Sequence, residues 1–192
     1  MRSADRSPSR EKLSDVDLDR LLEFEFVERE RLYRESPIWR AHRNRLLCIC
    51  LSQGTALHLI ERSGLNDFDI LTFFARSPLL DRRRVDSAFR AGRHRDFGQS
   101  RFGKRTDKEG RTRFPIFEGR NVDLFAQAIP ATRTADPAAA VRAWLTAAPT
   151  TTARLLAKKA VVMLEPQRLR VIWPVEEEGR QLRGYTSRRT PR

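Results

Sequence analysis

The stretch that decides the fold is Leu46-Leu47-Cys48-Ile49-Cys50-Leu51-Ser52-Gln53-Gly54-Thr55, followed after one short segment by Asn66-Asp67-Phe68-Asp69-Ile70-Leu71-Thr72-Phe73-Phe74. A continuous apolar run closing on Ser-Gln-Gly-Thr predicts a buried strand ending in a tight turn. The eleven residues between Thr55 and Asp67 leave room for one helix, Ala56 to about Arg62, which Gly64 stops. The chain then returns as a second strand over 66–74, in which Asp67 and Asp69 lie two apart and project from one face, roughly 6 to 7 Å apart. Two like charges at that spacing raise each other's pKa unless a cation neutralises them, and carboxylate-bound Mg²⁺ is a common remedy.

Outward from this centre, Ser14 with an acid three residues on opens a helix carrying Leu18, Leu21, Leu22, Phe26 and Val27 to about Tyr33. Ser36-Pro37 caps a second helical segment through Trp39 to Arg45. Beyond the centre, Thr112 to Ile116 and Asn121 to Ile129 carry strand signals, and Asp123 stands among apolar residues of the latter. Asp136-Pro137 opens a helix through Ala148, and Thr151 or Thr152 caps another through Leu164, where Pro166 ends it. On that last helix Arg154 and Lys158 share a face, while Lys159 lies about 100° round, toward water. The order of elements indicates an α/β or α+β domain over 14–177, between polar tails at 1–13 and 178–192.

Net charge is 38 − 25 = +13, with a pI near 11.1. Arg180, Arg183, Arg188, Arg189 and Arg192 give the C-terminal tail +5 with no acid after Gly179, and the stretch 81–113 holds twelve Lys or Arg against five acids. This clustering favours a polyanionic partner, although a genome rich in G and C produces the same Arg- and Ala-rich composition. Phe89, Phe97 and Phe102 interleave with the basic stretch and suit either single-strand stacking or anchorage of a long loop. Cys48 and Cys50 read as core side chains of a reducing compartment. The polar start, with no apolar stretch behind it, and the absence of a long uncharged apolar run place the protein in the cytoplasm, with no membrane partner. His58 and His94 have no spacing that defines a catalytic pair and are left without a role.

Together, Gly54-Thr55, a short helix, Asp67-Phe68-Asp69-Ile70 and the later Asp123 resemble the signature of the nucleotidyltransferase superfamily, over about 80 residues from Leu46 to Phe125. The resemblance extends in size and layout to small bacterial nucleotidyltransferases, toxins of toxin-antitoxin pairs among them. Thr55 departs from the Gly or Ser of that pattern: it keeps a hydroxyl but adds a branched Cβ. The resemblance implies a mixed sheet flanked by helices and transfer of a nucleoside monophosphate from an NTP, ATP included, to a hydroxyl. Asp67, Asp69 and Asp123 would bind Mg²⁺ or Mn²⁺, with Asp123 assisting deprotonation of the acceptor. Gly54 and Thr55 would cradle the phosphates, with Arg154 or Lys158 reaching them from the last helix. An RNA end is the favoured acceptor on charge. A catalytically silent nucleic-acid-binding module, or a basic surface meeting an acidic antitoxin-like protein, stands as the alternative.

Overall fold

The computed structural model describes residues 12–61, 63–78, 93–96 and 120–174. The first helix, α1 (Asp15–Glu35), is fixed at its start by a reciprocal capping box: the Ser14 hydroxyl accepts from the Asp17 N–H, and Asp17 Oδ2 accepts from the Ser14 N–H at 2.8 Å. Leu13, placed by its composition in the N-terminal tail, is fully buried, so the packed unit begins at or before it. Ser36 ends α1 and caps α2 (Pro37–Arg40), which is shorter than the expected run to Arg45.

The strands are β1 (Leu46–Ser52), β2 (Phe68–Ala75), β3 (Arg93–Asp96), β4 (Asn121–Ile129), β5 (Val161–Glu165) and β6 (Arg170–Trp173). The remaining helices among the described residues are α3 (Gln53–Glu61), α4 (Pro137–Ala147) and α5 (Thr151–Leu156). The strands form one mixed sheet in the order β3-β4-β2-β1-β5-β6, in which only β2 and β4 are parallel. The α/β expectation therefore holds.

Strand parity sorts the side chains into two layers. Ile49, Leu51, Phe68, Ile70, Val122, Leu124, Val162 and Leu164 face α1 and α3. Cys48, Cys50, Leu71, Phe73, Ile129, Val161, Met163 and Ile172 pack with Val141, Trp144 and Leu145 of α4 and with Ala153 and Leu156 of α5. Both faces of the central strands are covered, which is why β1 is an apolar run up to Ser52 and β2 is apolar on both faces apart from Asp69 and Thr72. Cys48 and Cys50 are buried free thiols in the second layer, as expected. At the far end of β2, Phe74 meets Tyr33 and Trp39, and His42 is locked by accepting from the Ser77 N–H at 3.1 Å while its Nδ1 meets the Ile38 carbonyl at 2.8 Å.

Three expectations are corrected. The helix from Thr151 does not reach Leu164; capped by Thr150, it ends at Leu156, and 161–165 is strand β5. Val-Val-Met-Leu has one face on each layer of the core, and that two-sided burial overrides the helical phase set up by the cap. β6 was not anticipated. Within the basic stretch, residues 93–96 form an edge strand paired antiparallel to β4. The expected strand at 112–116, the remainder of 81–113 with Phe89, Phe97 and Phe102, and the tail residues 1–11 and 178–192 lie outside the described residues. Among the described residues no helix is long and apolar enough to cross a membrane.

Candidate active site

At the end of the sheet where β2 begins, β4 begins and β1 ends, one row of residues crosses the face that α4 and α5 cover further along. Asp69 and Asp123 are direct register partners in the parallel β2–β4 pair. Parity puts both on that face, since Leu71 and Phe125, two residues on, pack in its core. Leu51 pairs with Ile70, which sets Ser52 beside Asp69, and Ser52 pairs in turn with Val161 of β5. The Ser52 hydroxyl is buried and makes no hydrogen bond among the described residues. On the outer side, the β3 backbone sets His94 opposite Asp123.

Asp69 is 7% exposed. Its burial, reinforced by the charges of Asp67 and Asp123 and opposed by that of Lys159, pushes its carboxyl pKa up to about 7. Asp67 departs from expectation: it lies in the bend before β2, not in the strand, and is half-buried. Its charge still reaches Asp69, but the strict strand geometry assumed for the pair does not apply. Among the described residues no three His, Cys, Asp or Glu side chains are drawn together closely enough to hold a metal ion as they stand. The donor set nevertheless suits a hard cation: carboxylates from adjacent strand ends, one of them buried and electrostatically raised, with a buried hydroxyl alongside. Asp69 and Asp123 sit side by side on neighbouring backbones, about 4.8 Å apart.

The turn from β1 into α3 holds the other half of the site. Gly54 is half-buried, and a Cβ built on it would meet nothing within 4 Å, so open space lies before the first turn of α3. Free N–H groups of a helix start suit an anion there. Thr55 does something different from what its motif position suggests. Its side chain is fully buried; its Oγ1 accepts from the Asp69 N–H at 2.8 Å and donates to the Asp67 carbonyl at 3.2 Å. The hydroxyl expected on a phosphate instead ties α3 to the acidic segment, and the branched methyl fills the core.

The basic residues are also redistributed. Arg154 is exposed and donates to Thr151 Oγ1 at 3.1 Å. Because α5 ends at Leu156, Lys158 and Lys159 lie in the turn leading to β5, and the shared helical face of Arg154 and Lys158 does not exist. Lys159 is exposed, as expected, and its charge still acts on Asp69. Arg120 is buried and donates to the Asn66 carbonyl at 3.1 Å, bracing the approach to the acidic segment. His58 is buried against the Ser63 carbonyl, a structural position.

Sequence reasoning missed Gln53. Its Nε2 donates to Asp69 Oδ1 at 3.3 Å, and its backbone is left-handed, with φ 52°. Such a conformation costs a residue with a Cβ about 1–2 kcal/mol. No local sequence signal betrays it, because the adjacent glycine invites the turn to be placed one residue too late. Comparison with family models, with curated proteins and with solved structures finds no match for the chain.

Proposed function

We propose that this protein is a metal-dependent nucleotidyltransferase that moves a nucleoside monophosphate from an NTP to a hydroxyl, RNA being the acceptor favoured by charge. The observation that carries the reading is the register pairing of Asp69 with Asp123 on one sheet face, beside the open start of α3 at Gly54. Asp67, Asp69 and Asp123 hold a divalent cation, Mg²⁺ or Mn²⁺. Once bound, it supplies charge neutralisation at the phosphates and lowers the pKa of the attacking hydroxyl. The backbone at Gly54 receives phosphate oxygens, and Lys159 reaches the same charge from the turn before β5. Asp123, less enclosed than Asp69, takes the acceptor proton. The acceptor oxygen bonds to the α-phosphorus as the bond to pyrophosphate breaks.

The separation of the carboxylates as they stand supports a second reading, a catalytically silent module that binds nucleic acid over the same face. One experiment decides between them. The protein is incubated with Mg²⁺, each α-labelled NTP and total RNA or total protein, beside Asp69→Asn and Asp123→Asn. Label on RNA or protein that both variants lose supports transfer. Salt-sensitive RNA binding without label supports the module, and binding to acidic protein alone leads to the protein-interaction alternative.

A further inference from the structure

Glycine and glutamine stand in unexpected places at the β1–α3 turn. The left-handed backbone falls on Gln53, whereas Gly54, the residue able to adopt it freely, is not left-handed and has open space where a side chain would sit. Neither turn geometry nor crowding therefore explains the pair. The other left-handed non-glycine residues among those described, Ala148 and Leu169, sit at a helix C-terminus and in the β5–β6 turn. Gln53 alone combines the conformation with a hydrogen bond to a buried acid. Its backbone is also pinned from the neighbouring strand, since its N–H donates to the Ala160 carbonyl at 3.0 Å.

We infer that Gln53 is a positioning residue: its left-handed backbone turns the side-chain amide onto Asp69 Oδ1, holding that one oxygen and leaving the other for the divalent cation that the carboxylates would bind. The inference rests on the metal-binding reading above and adds a residue outside that set. A carboxylate with both oxygens free can rotate away from a shared ion, whereas one oxygen held by an amide cannot do so without breaking that bond. Groups that orient ligands in this way typically alter metal affinity 10–100-fold when removed. The opposing view is that Gln53 merely occupies a turn whose strain the packed sheet tolerates.

Gln53→Gly separates the two, because it keeps the left-handed backbone, relieves its strain and removes only the amide. Mn²⁺ alone, without nucleotide, is titrated into wild type, Gln53→Gly, Gln53→Ala and Asp69→Asn, with electron paramagnetic resonance reading free ion and thermal melting run in parallel. A positioning role gives Gln53→Gly a melting temperature equal to or above wild type with Mn²⁺ affinity lowered at least tenfold. Gln53→Ala then loses affinity and melts lower. Wild-type affinity in a folded Gln53→Gly overturns the inference and leaves the metal site standing. Failure of wild type to bind Mn²⁺ more tightly than Asp69→Asn overturns the site and the inference together.

Discussion

Asp69 concentrates the physical cost of the site in one side chain, and the sign of its pH dependence is fixed by its shift. In the unfolded chain the carboxyl titrates near 3.8, and in the fold near 7. Below about pH 4 both states hold the proton and Asp69 carries no penalty. Between pH 4 and 7 the folded protein retains a proton that the unfolded chain releases, so this group's contribution falls as pH rises and levels off above 7. Asp69→Asn should therefore stabilise metal-free protein at pH 8, by up to roughly 4 kcal/mol if the whole shift is recovered, and have little effect at pH 4. Urea denaturation at the two pH values measures this; equal effects at both would show that Asp69 is not held as a strained acid. Mn²⁺ should bind more tightly as pH rises through 7, because binding must displace that proton. Thr55 makes the opposite kind of contribution. Thr55→Val strips partners from the Asp69 N–H and the Asp67 carbonyl and should cost about 1–3 kcal/mol. Thr55→Ser, keeping the hydroxyl, should cost less than half as much by the same denaturation measurement.

Among the elements, the turn between α5 and β5 is where the structure most changes the functional reading. Lys159→Ala should weaken NTP binding about tenfold, the order of one charge-assisted hydrogen bond. Arg154→Ala and Lys158→Ala should stay within a factor of two of wild type, as read by isothermal titration; a ranking led by Arg154 would move the phosphate contact from the turn to α5. The contrast shows which features were legible beforehand. Ser14 and Asp17 announce α1, Ser36-Pro37 announces α2, and the apolar runs of β1 and β2 announce a sheet, because each signal is local and the structure keeps it. Alternation along β4 also put Asp123 on a definite face. The parallel pairing that makes Asp123 the neighbour of Asp69 depends on which strands meet, and no short window encodes that. The helix ends eight residues before Leu164, so Lys158 and Lys159 fall outside it and the roughly 100° per residue that separated their faces no longer applies. The left-handed φ at Gln53 is invisible for a related reason: it is imposed by β1, α3 and β5 together.

At the scale of the whole molecule, topology decides which charged segments begin beside the carboxylates. β3 runs toward the site end, Asp96 pairing with Asn121, and β4 starts there. β6 finishes at the same end, Trp173 pairing with Val161, which is the register partner of Ser52. The stretch that holds Arg82, Arg83 and Arg84 instead follows the opposite end of β2, beyond Ala75. Residues 97–119 carry six Lys or Arg against three acids. If a polyanionic acceptor is guided to the site, replacing Arg101, Lys104 and Arg105 together by Gln should weaken its binding and flatten the log-log salt dependence by up to about 3. The same change at Arg82, Arg83 and Arg84 should alter the slope less, and NTP affinity should be nearly unchanged by either, because the triphosphate is expected at Gly54. Fluorescence titrations of an RNA oligomer and of an NTP from low to high salt make the comparison. A larger effect at Arg82–Arg84 would mean that the acceptor approaches from the other end of the sheet. Equal loss of RNA and NTP affinity in the Arg101 triple would bring that segment into the nucleotide pocket itself.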